Sequence, residues 1–181
     1  MSETRRVDPT VSGLLLIGFI TLVLGIVGVQ IFNGNDHTVM FDAALKFLIV
    51  LSLVMVMFAY MAGKCGNAFA TALFAFIGIA FIGTVYLAKA ATGTAPVDNS
   101  LMFYILGFFF VVFSMIAALI GAPKLLVLLL VLVAFIYFFF GLFFATSEAP
   151  YAGAIGLFGI LAFIISTYMA IGLATEKLPV V

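Results

Sequence analysis

The stretch LLVLLLVLVAFIYFFFGLFF, residues 125–144, contains no charge and a single hydroxyl, that of Tyr137. A helix rising ~1.5 Å per residue over this length covers the ~30 Å of hydrocarbon in a bilayer. A membrane strand needs only about half as many residues and alternates strictly between apolar and polar, which this stretch does not. In lipid the backbone has to satisfy its own N–H and C=O groups, and an α-helix does so within one segment. The stretch therefore reads as a transmembrane helix.

Five further runs have the same character. Together the spans fall at about 11–32, 40–62, 68–88, 101–121, 124–145 and 151–174, so residues 1–181 form one all-α, six-helix transmembrane domain. Hydrophobic residues make up 67% of the chain against 8% charged, far from the balance of a soluble domain, and Phe alone fills 22 positions. The first ten residues, MSETRRVDPT, are a polar leader, and the run behind them is too long for a signal-peptide core; it reads as a retained first span. Arg5, Arg6, Lys64, Lys124 and Lys177 collect on one side of the membrane, Lys46 and Lys89 on the other. The positive-inside rule then places both termini in the cytoplasm, in a multi-pass protein of the plasma membrane. Helix ends at AGK (62–64), IGAPK (120–124) and IGLATEK (171–177) look alike, either as a threefold hairpin repeat or because cytoplasmic helix ends gather Gly and Lys.

Scarcity of charge narrows the function. A zero net charge without a basic cluster leaves no footprint for nucleic acid. No carboxylate relay, no paired histidines and no nucleophile–base set is visible, so the expectation is a non-enzyme without metal or cofactor. Cys65 stands alone, as a small side chain at a helix end. Small residues trace helical faces in three spans: Gly18, Thr21, Gly25 and Gly28; Ala68, Thr71, Ala75 and Gly78; Gly153, Gly156 and Gly159, with Ser166 and Ala170 beyond. Such stripes permit close helix packing, or they line a narrow passage between spans one, three and six. Hydroxyls such as Ser52, Thr71, Ser114 and Ser166 can each bond back to the preceding turn. Asn67 is placed to cap the third helix or to meet solute at a vestibule. Lys46, with Asp42 four residues before it, is either a snorkelling interface pair or an entrance charge. His37 reads as a solvated loop residue.

The segment DPTVSGL (8–14) resembles the N-P-A-P-x-G-L signature that opens the acetate uptake transporter family, the succinate–acetate permease type, with Asp8, Pro9, Gly13 and Leu14 on its Asn, Pro, Gly and Leu. Gly66–Asn67 with Phe69 behind, Gly121–Ala122, Gly153 with Gly156, and Leu178–Pro179–Val180 continue the likeness along the whole chain. The resemblance implies a hexamer with a solute path through each protomer, carrying acetate, related monocarboxylates or succinate, with protons as the coupled ion. The family's apolar constriction of Phe, Tyr and Leu falls on Ile17, Ile77 and Leu132, of which only the leucine is kept. Asp8, Gly13, Asn67, Thr71 and Lys46 are the expected path or entrance residues. Thr10, Val11 and Ser12 depart from the signature, as do Met55 and Ala62 where members carry Gln and Glu. The expectation is a channel or proton-coupled transporter for acetate. The alternatives are a channel for a neutral solute such as urea or ammonia, and a non-transporting structural membrane protein.

Overall fold

A computed structural model of the protein describes residues 9–91 and 96–175. Six α-helices follow one another: α1 (Thr10–Phe32), α2 (His37–Lys64), α3 (Ala68–Ala91), α4 (Pro96–Leu119), α5 (Lys124–Thr146) and α6 (Ala149–Thr175). All but α3 carry an apolar stretch long enough to cross a membrane among the described residues; in α3 that stretch is described over Ala68–Gly83. The chain is thus a multi-pass α-helical membrane protein. Asp8, Arg5, Arg6, Lys177 and the Leu178–Pro179–Val180 tail lie outside the described residues, as do the side chains of His37, Thr84, Lys89 and Asp98.

The helix borders have local causes. Gly34, Gly66 and Gly121 adopt φ of +86°, +78° and +71°, the left-handed conformation that ends a helix without a Cβ penalty. The next residue's N–H then reaches the carbonyl five residues back: Asn35 to Gln30, Asn67 to Ala62, and Ala122 to Ala117. This closure satisfies carbonyls that the end of a helix leaves without partners. It also separates the three similar-looking helix ends. Gly121 is a terminating glycine, whereas Gly63 and Gly172 lie inside α2 and α6, so the glycines of the three look-alike stretches do different jobs. The largest departure from expectation is at α4, which starts at Pro96 rather than near 101. Proline is well suited to a first helical turn, where its missing N–H has no intrahelical acceptor, and the polar PVDNS segment is therefore helical rather than loop.

Each helix packs on its neighbours in chain order, and α6 returns to α1, so the six form a closed ring with both described chain ends on one side. The seam between α1 and α6 is the tightest contact. A Cβ added to Gly28 would lie 2.6 Å from the Ala152 carbonyl oxygen, and one added to Gly159 would lie 2.6 Å from the Gly25 Cα. Backbone meets backbone there, which is how small residues hold helices together when lipid supplies no hydrophobic drive. The small stripe of α3 is likewise used for packing: a Cβ on Gly78 would lie 3.1 Å from the Ser52 carbonyl oxygen of α2. Of the two readings of these stripes, close packing holds for Gly25, Gly28, Gly156, Gly159 and Gly78.

Large side chains fill the ring. Toward the end where α5 finishes, Phe41, Phe103, Phe140 and Phe144 gather, with Phe103 and Phe144 stacked at 5.0 Å and Phe41 and Phe144 tilted at 5.5 Å. Tyr137 continues this cluster inward, stacked on Phe110 at 5.3 Å and fully buried. The ring's outer surface is also apolar; Leu119, Phe108, Ile79 and Met57 are each more than half exposed, as suits contact with lipid.

Candidate functional site: a cavity at the cytoplasmic end of the ring

At the opposite end, where α1, α3 and α5 begin and α2, α4 and α6 finish, the ring holds a cavity of about 410 Å³. Thr10 and Leu14 of α1, Asn67 and Phe74 of α3, Leu126 of α5 and Met169 of α6 contribute to its wall. Lys64 and Lys124 stand at this end, which the charge asymmetry assigns to the cytoplasm. The polar groups lie near the mouth, and the side chains become apolar inward. The turn Ala122–Pro123 closes one side, because proline stops the chain from continuing α4 and starts α5 at once.

Three helix N-termini frame the cavity. The N-caps of α1 and α5 are Pro9 and Pro123, and neither has a side-chain cap. The N-cap of α3 is Asn67, whose Oδ1 accepts the Ala70 N–H at 3.0 Å while the residue also borders the cavity. The capping role foreseen for Asn67 is met, and the same residue stands in the cavity wall. First-turn N–H groups carry the positive end of the helix dipole and can receive an anion locally, while α2, α4 and α6 bring their carbonyl ends to the same side of the ring.

The expected site residues do not all converge here. Ile17, Ile77 and Leu132 are 2%, 1% and 8% exposed, and they lie seven, nine and eight residues beyond the first residue of their own helices. At ~1.5 Å per residue they share one level of the ring, ~10–14 Å in from the helix starts. Gly13 sits against the ring of Phe74, which occupies the space a side chain at 13 would need. Thr71 is elsewhere. Its Oγ1 donates to the Asn67 carbonyl at 2.7 Å, and it borders two shallow outward grooves with Gly63 between α2 and α3, not the cavity. Lys46 is on the other membrane side, in a 3.2 Å ion pair with Asp42 whose side chains are 79% and 58% exposed. Asp8 lies outside the described residues.

The buried hydroxyls are spent locally. Thr21 donates to Gly18 at 2.9 Å, Ser52 to Leu48 at 2.8 Å and Ser114 to Val111 at 2.7 Å, each to a carbonyl on its own helix. Ser166 is different: its Oγ donates to the Leu14 carbonyl and ties α6 to α1 beside the inner end of the cavity. Sequence reasoning placed Ser166 on a small stripe but could not see that its partner is 152 residues away. It also passed over Phe74, one phenylalanine among 22, because nothing local marks which ring points into the bundle.

The fold is similar to that of a bacterial acetate channel. The solved structure of the bacterial acetate channel SatP matches this one with a TM-score of 0.81, over 97% of this chain and 99% of that chain, at 16% sequence identity. No protein-family model matches the sequence, and no curated protein matches it. The likeness to SatP therefore rests on three-dimensional arrangement, and it extends over essentially the whole ring of helices.

Proposed function

We propose that this chain forms a plasma-membrane pathway for a small weak acid, acetate first, either as a passive channel or coupled to protons, and not an enzyme. The observation that carries the reading is the cavity that three helix N-termini frame at one end of a closed helix ring, in a fold shared with an acetate channel. Those N-termini can draw a carboxylate into the mouth. Beyond it the wall turns apolar, and Ile17, Ile77 and Leu132 form a dehydrating level that a bare carboxylate crosses only at heavy desolvation cost. The protonated acid sheds most of that cost. In this reading the cavity collects the anion, and the constriction favours its neutral form.

The resemblance to the acetate uptake transporters supports a homo-hexamer, with the apolar outer faces shared between lipid and neighbouring copies. Crosslinking in native membranes tests this, since a ladder ending below six protomers contradicts it. The transport reading is tested by reconstituting the full chain in proteoliposomes with an inwardly directed proton gradient and following labelled acetate. Uptake above that of empty vesicles is expected, and its abolition by collapsing the gradient marks proton coupling. Acetate flux no greater than in empty vesicles sinks the reading and favours a structural membrane protein.

A further inference from the structure

The cavity is much larger than the solute proposed for it. At about 410 Å³ it falls within the ~300–1,000 Å³ range of pockets that hold drug-sized molecules, so its walls cannot grip a two-carbon acid on all sides. Selection has to occur where the cavity closes, and Phe74 stands there with Leu14 and Met169 beside it. Phe74 borders the cavity yet is only 1% exposed, six residues into α3, ~9 Å from the start of that helix and one turn short of Ile77. The end of its ring reaches α1 at Gly13, where even a methyl group would overlap it. α1 and α3 are not neighbours in the ring, since each packs on α2, and Phe74 spans the interior between them. On the α1 side Leu14 flanks the notch, held in register with α6 by the Ser166 hydroxyl on its carbonyl, and Ile17 lies ~4.5 Å deeper along the helix.

We propose that Phe74, seated in the notch left by Gly13, is the cytoplasmic gate of the path and sets the size of monocarboxylate that passes from the cavity to the Ile17 level. This rests on the transport reading for its cargo but not for its geometry. An aromatic ring is suited to the task because it turns about two side-chain torsions as a rigid plate, covering a wide opening when seated and clearing it by a rotamer change. The gate needs Gly13. A Cβ there takes the seat of the ring, which has to move.

Cysteine accessibility tests the gate without reference to transport. In a full-length Cys65→Ser background, which removes the exposed native thiol, Val11→Cys in the cavity wall and Ile17→Cys behind the gate are labelled from the cytoplasmic side with a membrane-impermeant maleimide. With Phe74 in place, position 11 is expected to label and position 17 to resist. Adding Phe74→Ala should raise the labelling rate at 17 at least tenfold and leave position 11 unchanged. Gly13→Ala, with the ring retained but unseated, should raise it as well. Equal labelling of 17 with and without Phe74 overturns the gate, and so does failure of position 11 to label at all. Phe74→Leu, which keeps most of the buried volume, stands in if Phe74→Ala does not fold. In proteoliposomes the same variants should raise butyrate flux relative to acetate several-fold; an unchanged ratio alongside increased labelling overturns the size-selecting role. If the unmutated chain carries no acetate while the labelling pattern holds, the transport reading fails and the gate stands.

Discussion

Replacing Leu132 by Ala, at the level of Ile17 and Ile77, should change the ranking of solute fluxes across a formate-to-butyrate series and cost ~2–4 kcal/mol of stability, because a buried leucine leaves a cavity that its surroundings refill only in part. Flux measurement and thermal unfolding in detergent separate the two effects, and an unaltered ranking removes Leu132 from the constriction. Ser166→Ala deletes a bond from α6 to the Leu14 carbonyl. Hydrogen bonds between membrane helices average well under the ~1–2 kcal/mol once expected of them, so a small loss of about 0.5 kcal/mol is predicted. Lys46→Met is a contrasting case. Its ion pair with Asp42 is largely exposed, so unfolding should be unaffected, and a fall in uptake with unchanged stability would identify Lys46 as an entrance charge rather than an interface anchor. Asn67 was legible from sequence, because an amide directly after a terminating glycine is an N-cap signal. Phe74 was not, since its significance depends on Gly13, 61 residues earlier and across the ring.

Among the glycines, some touch the backbone of a neighbouring helix and some touch nothing, while others such as Gly13 meet a side chain. Gly28 and Gly159 belong to the first kind, on the α1–α6 seam. Gly28→Leu or Gly159→Leu should force the two helices apart, with loss of at least the ~1–3 kcal/mol typical of overpacking and a broadened or aggregated profile in size-exclusion chromatography. A well-behaved, undiminished variant at either position contradicts the seam. Gly83 belongs to the second kind, with open space where its Cβ would go. Gly83→Ala should be tolerated and raise the melting temperature, since alanine favours a helix interior over glycine by about 1 kcal/mol. Sequence spacing showed that these residues form stripes but not what each stripe meets. The same freedom from bulk suits a neighbouring helix, a lumen or lipid, and only the identity of the neighbour separates them. Helix borders were more readable: α5 starts at Lys124 as expected, and α1 and α3 begin at or within a residue of their expected positions, because caps and breakers act within a few residues of themselves. α4 was the largest departure, as its first turn is polar and resembles a loop.

At the scale of the whole molecule, the two ends of the ring are unlike. One is filled by the Phe41, Phe103, Phe140 and Phe144 cluster, the other holds the cavity, so the described arrangement opens toward the cytoplasm and is closed on the far side. On the proposed transport reading, passage of a solute requires the aromatic end to part. Phe103→Ala, which removes a fully buried ring stacked on Phe144, should therefore increase acetate leak and also lower stability by ~3–5 kcal/mol. Stopped-flow flux set beside a melting curve checks both, and loss of stability without added leak would make the cluster purely structural. By itself the sequence determined that this is a six-span helical membrane protein with its charges at the borders, and where most spans begin and end. Those features are local: a peptide group in lipid must find its partner within its own helix, and charge must stay at the interface. Only the tertiary structure decided that the helices close a ring in chain order, that α1 and α6 meet through bare backbone, and that Phe74 reaches Gly13 across the interior. Such contacts join residues far apart in the chain, and in a sequence so uniformly apolar no local pattern distinguishes a side chain that faces lipid from one that closes a path.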